Sequence, residues 1–430
     1  MNKNLRLIVY LLVTALALLS VTYAYRYYAK RSNPIKVGIL HSLSGTMAIS
    51  EKPLQEATLM AIDEINAKGG LLGGRLIEPV IVDIKSDWDY AAKMTKKLIV
   101  EDKVSVIFGC WTSSCRKTIK SVIEEHDHLL FYPLQYEGLE QSKNIVYTGA
   151  APNQQIIPAI KWAYDHLGKR FFLVGSDYVF PRTANAIIKD QVSGLGGEIV
   201  GEKYILLGSQ DVGAAVDKIL ESKPDVILNS INGDSNIAFF KKLRENGILS
   251  TSIPTISFSI GETELQSMDV NLVKGDYAVW SYFQSIPSER NQQFVNAFKA
   301  KYGKDRVVND PMEAGYFGVY LWSQAVTDAR SDRVEQTKNH IKKQSFKAPE
   351  GLVYVDPENQ HTWKSVRVGQ IQEDGQFTVV WDSLKAVRPI PFPSYRSKDA
   401  WNRFLNDIFI SYGNSWAKSA DKAEEIEKKE

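Results

Sequence analysis

The chain has 430 residues, of which 44% are hydrophobic and 24% charged. That length is too great for a single hydrophobic core and suits two lobes, and the composition is that of a folded protein rather than a disordered one. A formal net charge of +2 supplies no concentrated basic face, which excludes nucleic acid as a partner.

Residues 5–25 are nearly all apolar and are accompanied by Lys3 and Arg6. A charged start followed by an apolar run is the pattern of an export signal, with Thr22, Tyr23 and Ala24 offering a cleavage site after Ala24. The run also approaches the length of a membrane span, so residues 1–34 read as a signal peptide or a signal anchor. In the second case, attachment to the membrane runs through residues 5–25, and Arg26, Lys30 and Arg31 hinder clean translocation. No Cys lies nearby to carry a lipid.

From Pro34 onward, short apolar runs alternate with segments of helical spacing. Strands are predicted at 35–40, 76–83, 104–108 and 129–132, with helices at 54–67, at 89–101 and from Trp111 onward. Around 148–155 the pattern loosens and then restarts, with strands at 170–175, 198–204, 225–228 and 255–259 and helices between them. Residues 277–284 and the helices at 292–302 and 312–329 read as a return to the first lobe. Strands with hairpin turns follow at 351–355, 365–371 and 376–381, and the Lys/Glu-rich end reads as a solvated helix or tail. Strands alternating with helices imply parallel sheets covered on both faces. Such sheets bind ligands outside the carboxyl ends of their strands.

The residues at those ends are informative. The strand at 104–108 breaks at Gly109 and Cys110 and delivers Trp111, Thr112, Ser113 and Ser114 to a helix start; the next ends in Tyr132, Pro133, Leu134, Gln135 and Tyr136. In the second half, Asp177 and Tyr178 follow one strand end, and Ile231, Asn232, Gly233 and Asp234 follow another. Aromatic rings and neutral polar groups, without paired carboxylates or a His cluster, suit a small uncharged molecule. Each also has a plainer use: rings pad clefts, Thr112 and Ser113 cap a helix, Asp177 fits the cap of the helix after it, and Asn232–Asp234 suits a turn. Gln135 is more specific, because an amide past a strand end offers a donor and an acceptor without charge. Cys110 and Cys115 flank the Trp111 corner and read as buried free thiols in preference to a bridge. His41 beside Ser42 and Ser44 lacks the nucleophile elbow of a hydrolase, and the glycines at 69–74 lack phosphate-cradling spacing.

The segments KVGILHSLSGTMAISE, FGCWTSSCRK, LLFYPLQYEGLE, TGAAPNQQ, GSDYVFPRTAN and NSINGDSNIAFF resemble the urea-binding and short-chain-amide-binding receptors. These are type I periplasmic binding proteins, relatives of the leucine/isoleucine/valine-binding protein. The likeness runs from about residue 35 to about residue 393. It implies an α/β fold of two doubly wound lobes joined by three crossover strands. On that reading 35–150 and 260–347 form lobe 1, 151–259 and 348–393 form lobe 2, and 394–430 is a C-terminal tail.

The resemblance points to Trp111, Ser113, Tyr132, Gln135 and Tyr178 as pocket residues, with Asp177, Ile231 and Asn232 nearby. Trp111 where amide receptors tend to carry Tyr, and Gln135 where they carry Pro, lean toward urea. The implied function is capture of urea or a short-chain amide in the periplasm, or at the outer face of the cytoplasmic membrane. Delivery would be to the permease subunits of an ABC transporter, with no catalysis, cofactor or metal. In this reading Ser113 and helix N–H groups donate to the urea carbonyl, Gln135, Tyr132 and Tyr178 meet the amino edges, and Trp111 forms a wall. Cys115 departs from the small residue expected at its position. The competing readings are an amino-acid receptor, for which only Asp177 or Asp234 could meet the ligand ammonium, a membrane-tethered sensor acting through a partner protein, and an exported amidohydrolase.

Overall fold

The computed structural model describes residues 3–31 and 33–418. Helix α1 (Lys3–Arg31) leads the chain, and its side chains from Leu7 to Thr22 are exposed. Among the described residues no helix is long and apolar enough to cross a membrane.

The first lobe is built on β1 (Ile35–His41), β2 (Ile77–Asp83), β3 (Ile107–Gly109), β4 (Leu130–Tyr132) and β5 (Ile145–Tyr147). They form one parallel sheet in the order β2-β1-β3-β4-β5. Helices α2 (Ala48–Ala67), α3 (Trp88–Val100) and α4 (Ser113–Glu125) connect its earlier strands. Only Lys36 of β1 is exposed, the continuous burial expected where both faces of a parallel sheet are covered. At the end of β3 the backbone comes so close to β1 that a Cβ on Gly109, whose φ is +145°, would lie 2.1 Å from the Leu40 carbonyl oxygen. Only glycine fits there.

The second lobe alternates α5 (Ile156–His166), β6 (Arg170–Ser176), α6 (Val179–Leu195), β7 (Glu198–Ile205), α7 (Gly213–Ser222), β8 (Val226–Ser230), α8 (Ser235–Glu245), β9 (Thr255–Ser257), α9 (Glu262–Leu265) and β10 (Tyr277–Trp280). The chain then returns to the first lobe with α10 (Glu289–Tyr302), α11 (Asp310–Ala329), α12 (Val334–Ile341) and a small sheet of β11 (Ser345–Ala348), β12 (Gly351–Val355) and β13 (Thr362–Trp363). It crosses back to β14 (Arg367–Ile371) and β15 (Phe377–Asp382) and ends with α13 (Lys398–Ser411). The second sheet runs β15-β14-β10-β9-β8-β6-β7, with β14 and β15 antiparallel.

These pairings correct three expectations. Strand β10, expected in lobe 1, pairs with β9 and β14 in the second sheet, and Ile260, Leu265, Val273 and Trp280 pack with its core. Residues 345–363, placed partly in lobe 2, pack instead with the first core through Ala348, Val353 and Val355. The expected tail contains α13, whose Trp401, Leu405 and Ile408 bury against the second lobe; residues 419–430 of that tail lie outside the described residues.

The lobes are linked by crossings at 148–155, 281–288 and 364–366. A buried lysine ties them together. Lys364 Nζ donates to the Thr148 carbonyl at 3.1 Å and lies 3.0 Å from Glu350 Oε1 and 3.8 Å from Asp310 Oδ2. Asp310 Oδ2 in turn accepts from the Ser281 and Tyr282 N–H groups at 3.0 and 2.9 Å, and Arg367 donates to the Ser281 carbonyl. All three crossings therefore share one buried charge network.

Candidate functional site

The site forms where β3 and β4 end beneath the start of α4. Thr112 caps α4, its Oγ1 accepting the Cys115 N–H at 3.1 Å. The two cysteines are joined in a disulfide, contrary to the expected free thiols. The strand-to-helix corner brings their Cα atoms to 6.3 Å, within the range a disulfide spans. Trp111 is held inside this short covalent loop.

Ser113, Tyr132 and Trp111 are brought together. Tyr132 Oη donates to the Trp111 carbonyl at 2.6 Å. Ser113 Oγ donates to Glu137 Oε2 at 2.5 Å and accepts from Arg116 Nη1 at 3.0 Å. Arg116 completes its fork with Glu137 Oε1 and Glu140 Oε1, both at 3.0 Å, and Lys117 Nζ donates to Glu140 Oε2 at 3.2 Å. The guanidinium carbon lies 4.7 Å from the Tyr132 ring centre and 4.5 Å from that of Tyr136.

This charged quartet overturns the expectation of a site without paired carboxylates. Burial alone would raise the pKa of Glu140, but the charges of Arg116 and Lys117 outweigh it and hold the carboxyl well below its usual range. Burial likewise disfavours the charged guanidinium of Arg116, yet Glu140 and Glu137 raise its pKa further. The formal charges of the quartet cancel, so the site remains neutral overall. Tyr132 and Tyr178 are pushed up chiefly by burial and stay protonated. The acidic pair spaced by three residues beyond β4, opposite Arg116-Lys117 in the first turn of α4, was the sequence signal for this network.

Gln135 reaches into the second lobe, where Nε2 donates to the Phe258 carbonyl at 2.8 Å; its buried Oε1 has no hydrogen-bond partner among the described residues. Tyr178 is buried with the second-lobe core, near enough to Tyr132, Glu137 and Arg116 for them to act on its hydroxyl electrostatically. Asn232 Nδ2 donates to the Ser230 carbonyl at 3.1 Å, and its backbone N–H to Ser176 Oγ at 3.0 Å. Ile231 packs in the second-lobe core.

Asp177 is drawn away from both roles expected of it. Its Oδ1 accepts from Arg182 Nε at 2.9 Å and from the Tyr412 hydroxyl at 2.5 Å, while α6 begins without a side-chain cap. Tyr136 leaves the pocket as well, stacking with Tyr147 and His361 at centroid distances of 5.1 and 5.6 Å. Among the described residues no group of His, Cys, Asp or Glu is arranged to hold a metal ion.

The profile of the periplasmic binding protein domain matches residues 35–398. The chain belongs to that family. This binding protein is 22% identical over 378 residues to Leu/Ile/Val-binding protein homolog 6 of Brucella suis biovar 1 (strain 1330), covering 85% of this chain and 94% of the relative. A solved solute-binding protein of an ABC transporter from R. palustris, in complex with 4-hydroxybenzoate, superposes with a TM-score of 0.74 at 23% identity, over 83% of this chain and 98% of that one. A stretch of 117 residues is 36% identical to limonene hydroxylase of Geobacillus stearothermophilus, but this covers 27% of this chain and only 21% of that protein. The binding protein thus has the type I, α/β fold of solved solute-binding proteins and belongs to a family of periplasmic binding proteins rather than of enzymes.

Proposed function

We propose that this protein captures urea, or a short-chain amide close to it, between its two lobes outside the cytoplasm and delivers it to the permease subunits of an ABC importer. The observation that carries this reading is the hydrogen bond from Ser113 to Glu137. It commits the serine proton, and Arg116 Nη1 occupies one lone pair, so in this proposal the remaining lone pair of Ser113 accepts from the ligand and the hydroxyl does not donate to its carbonyl as the sequence suggested. The Tyr132 proton is committed to the Trp111 carbonyl in the same way, and Gln135 keeps only Oε1 unpaired. Three acceptors call for a ligand rich in N–H groups. Urea carries four N–H bonds on a planar neutral frame, whereas acetamide carries two and leaves an acceptor unsatisfied, at a cost of about 1–3 kcal/mol.

The Tyr178 hydroxyl and the Trp111 indole N–H make no hydrogen bond among the described residues, which suits them to the single carbonyl of urea. Asn232 completes the second-lobe side in this proposal; Asp177 is not included, because its carboxylate is already paired. A carboxylate ligand would meet the lone pairs of Ser113 and Tyr132 and find Arg116 and Lys117 already balanced by Glu137 and Glu140. That argues against benzoates and amino acids, although such ligands occur among the relatives. Export would depend on residues 1–34.

Calorimetric titration of the purified protein with urea, acetamide, formamide, leucine and 4-hydroxybenzoate tests the reading. Urea should bind most tightly and acetamide more weakly. Leucine or 4-hydroxybenzoate binding without a response to urea would sink it.

A further inference from the structure

The segment that follows α13 bridges the two lobes beside the candidate site. Helix α13 is fixed to the second lobe by Trp401, which is fully buried and donates Nε1–H to the Pro393 carbonyl at 2.9 Å. Beyond it, Tyr412 donates to Asp177, Ala417 forms an antiparallel bridge with Tyr178, and the Lys418 N–H reaches the Asp177 carbonyl at 3.3 Å. The segment thus runs beside Tyr178, the residue of the second jaw near the first-lobe cluster.

One atom of this segment joins the two lobes. The carbonyl oxygen of Trp416 accepts from the Val179 N–H at 3.0 Å and from Ser114 Oγ at 3.0 Å. Val179 opens α6 of the second lobe, and Ser114 sits in the first turn of α4 of the first lobe. Each helix start has N–H groups without intrahelical partners and a partial positive charge, and an oxygen between two of them is favourably placed. The Trp416 ring adds a second link across the cleft, with Lys117 Nζ 5.0 Å from its centre and the tilted Phe409 ring 4.7 Å away on the α13 side. The second-lobe contacts can persist when the jaws part, but the contacts to Ser114 and Lys117 cannot.

We propose that residues 412–418 are a latch that holds the closed jaws together and slows release of the bound solute, with Trp416 and Ser114 as its positioning residues. The proposal rests on the solute being held between these jaws and is independent of which solute it is. It predicts that opening breaks the link at Ser114 first, while the segment stays on the second lobe.

The test is stopped-flow binding of urea to the full-length chain and to the Ser114→Ala/Trp416→Ala variant, together with X-ray scattering of both without solute. The variant should release urea about tenfold faster with an unchanged association rate, the scale of one lost hydrogen bond and one ring contact, and its solute-free radius of gyration should increase. Equal release rates and identical scattering curves would overturn the latch. If the double variant fails to fold, the single Ser114→Ala variant carries the same comparison, with a release rate raised a few-fold. If the unaltered chain does not bind urea, the choice of ligand is wrong; the scattering comparison then decides the latch alone.

Discussion

Gln135 Nε2 donates across the cleft to the Phe258 carbonyl, 2.8 Å away, from the end of the first sheet to the end of the second. The same carbonyl also accepts from Gln155 Nε2 at 3.2 Å. Removing the Gln135 amide therefore leaves Phe258 satisfied and costs only the contact between the jaws and the Oε1 offered to the ligand. Gln135→Leu keeps the side-chain volume, so it should lower urea affinity about tenfold to a hundredfold, the worth of one or two hydrogen bonds. Its unfolding midpoint without ligand should stay close to that of the unaltered protein. Titration calorimetry and thermal unfolding check the two halves of this expectation, and a large loss of stability would make Gln135 a structural residue instead.

Much of this arrangement was legible in the chain. Apolar runs at 104–108 and 129–132 located the two strand ends, and Trp111, Ser113, Tyr132 and Gln135 stand out because they follow those runs directly. The polarity of the site was not legible. Whether Ser113 donates or accepts depends on Glu137, which lies 24 residues away in sequence and meets it only in the fold. Strand β10 was misassigned for a similar reason, since YAVW is apolar enough for either sheet and its neighbours are set by tertiary contacts. The acidic and basic residues of the last segment drew attention from Trp401, Leu405 and Ile408, whose spacing puts them on one face of α13. The disulfide was ranked below free thiols because a separation of five residues does not fix the distance between two Cα atoms.

Glu137→Gln tests the polarity directly. A glutamine can keep an oxygen toward Arg116 Nη2, but the group facing Ser113 becomes an N–H donor. The serine proton then turns toward the cleft, and the site loses an acceptor along with a negative charge. Urea binding should weaken at least tenfold, with a relative gain for carboxylates such as 4-hydroxybenzoate. The unbalanced Arg116 should also cost about 3 kcal/mol of stability. Competitive titration and denaturant unfolding measure these effects, and unchanged discrimination between urea and 4-hydroxybenzoate would refute the assigned role of Ser113.

Stability should fall on both sides of an optimum in pH, for opposite reasons. Burial lowers the pKa of His361 from 6.5 to about 4. The unfolded chain therefore binds more protons than the folded one between these values, and stability drops as pH falls through that window, by about 3 kcal/mol when the loss is complete. Burial raises Glu262 from 4.5 to about 8, and its Oε2 has no hydrogen-bond partner among the described residues. Here the folded chain holds the extra proton, so stability drops as pH rises from about 4.5 toward 8. Between about pH 4.5 and 6.5 the two effects oppose each other. In unfolding free energies measured from pH 4 to pH 9, Glu262→Gln should therefore steepen the acid limb and lessen the alkaline one, which Asp276, raised by burial to about 7, shares. An alkaline limb of unchanged depth in this variant would assign it to Asp276 and not to Glu262.

The Cys110–Cys115 disulfide should matter more for binding than its size suggests. Closing so short a loop removes little freedom from the unfolded chain, and the chain-entropy relation gives about 2 kcal/mol of stabilisation. The loop nevertheless holds Trp111, whose carbonyl accepts the Tyr132 proton and whose ring is the proposed wall of the pocket. Reduction frees this corner, so the Trp111 carbonyl no longer holds Tyr132 in one orientation and the lone pair offered to the ligand is less well aimed. Under a phosphine reductant the protein should remain folded, with its unfolding midpoint lowered by a few degrees. Urea affinity should fall several-fold. Thiol titration without reductant should find no free thiol in the folded protein and two once the bridge is reduced. Reduction that leaves urea affinity unchanged would mean that packing around Trp111, rather than the covalent loop, fixes the wall of the site.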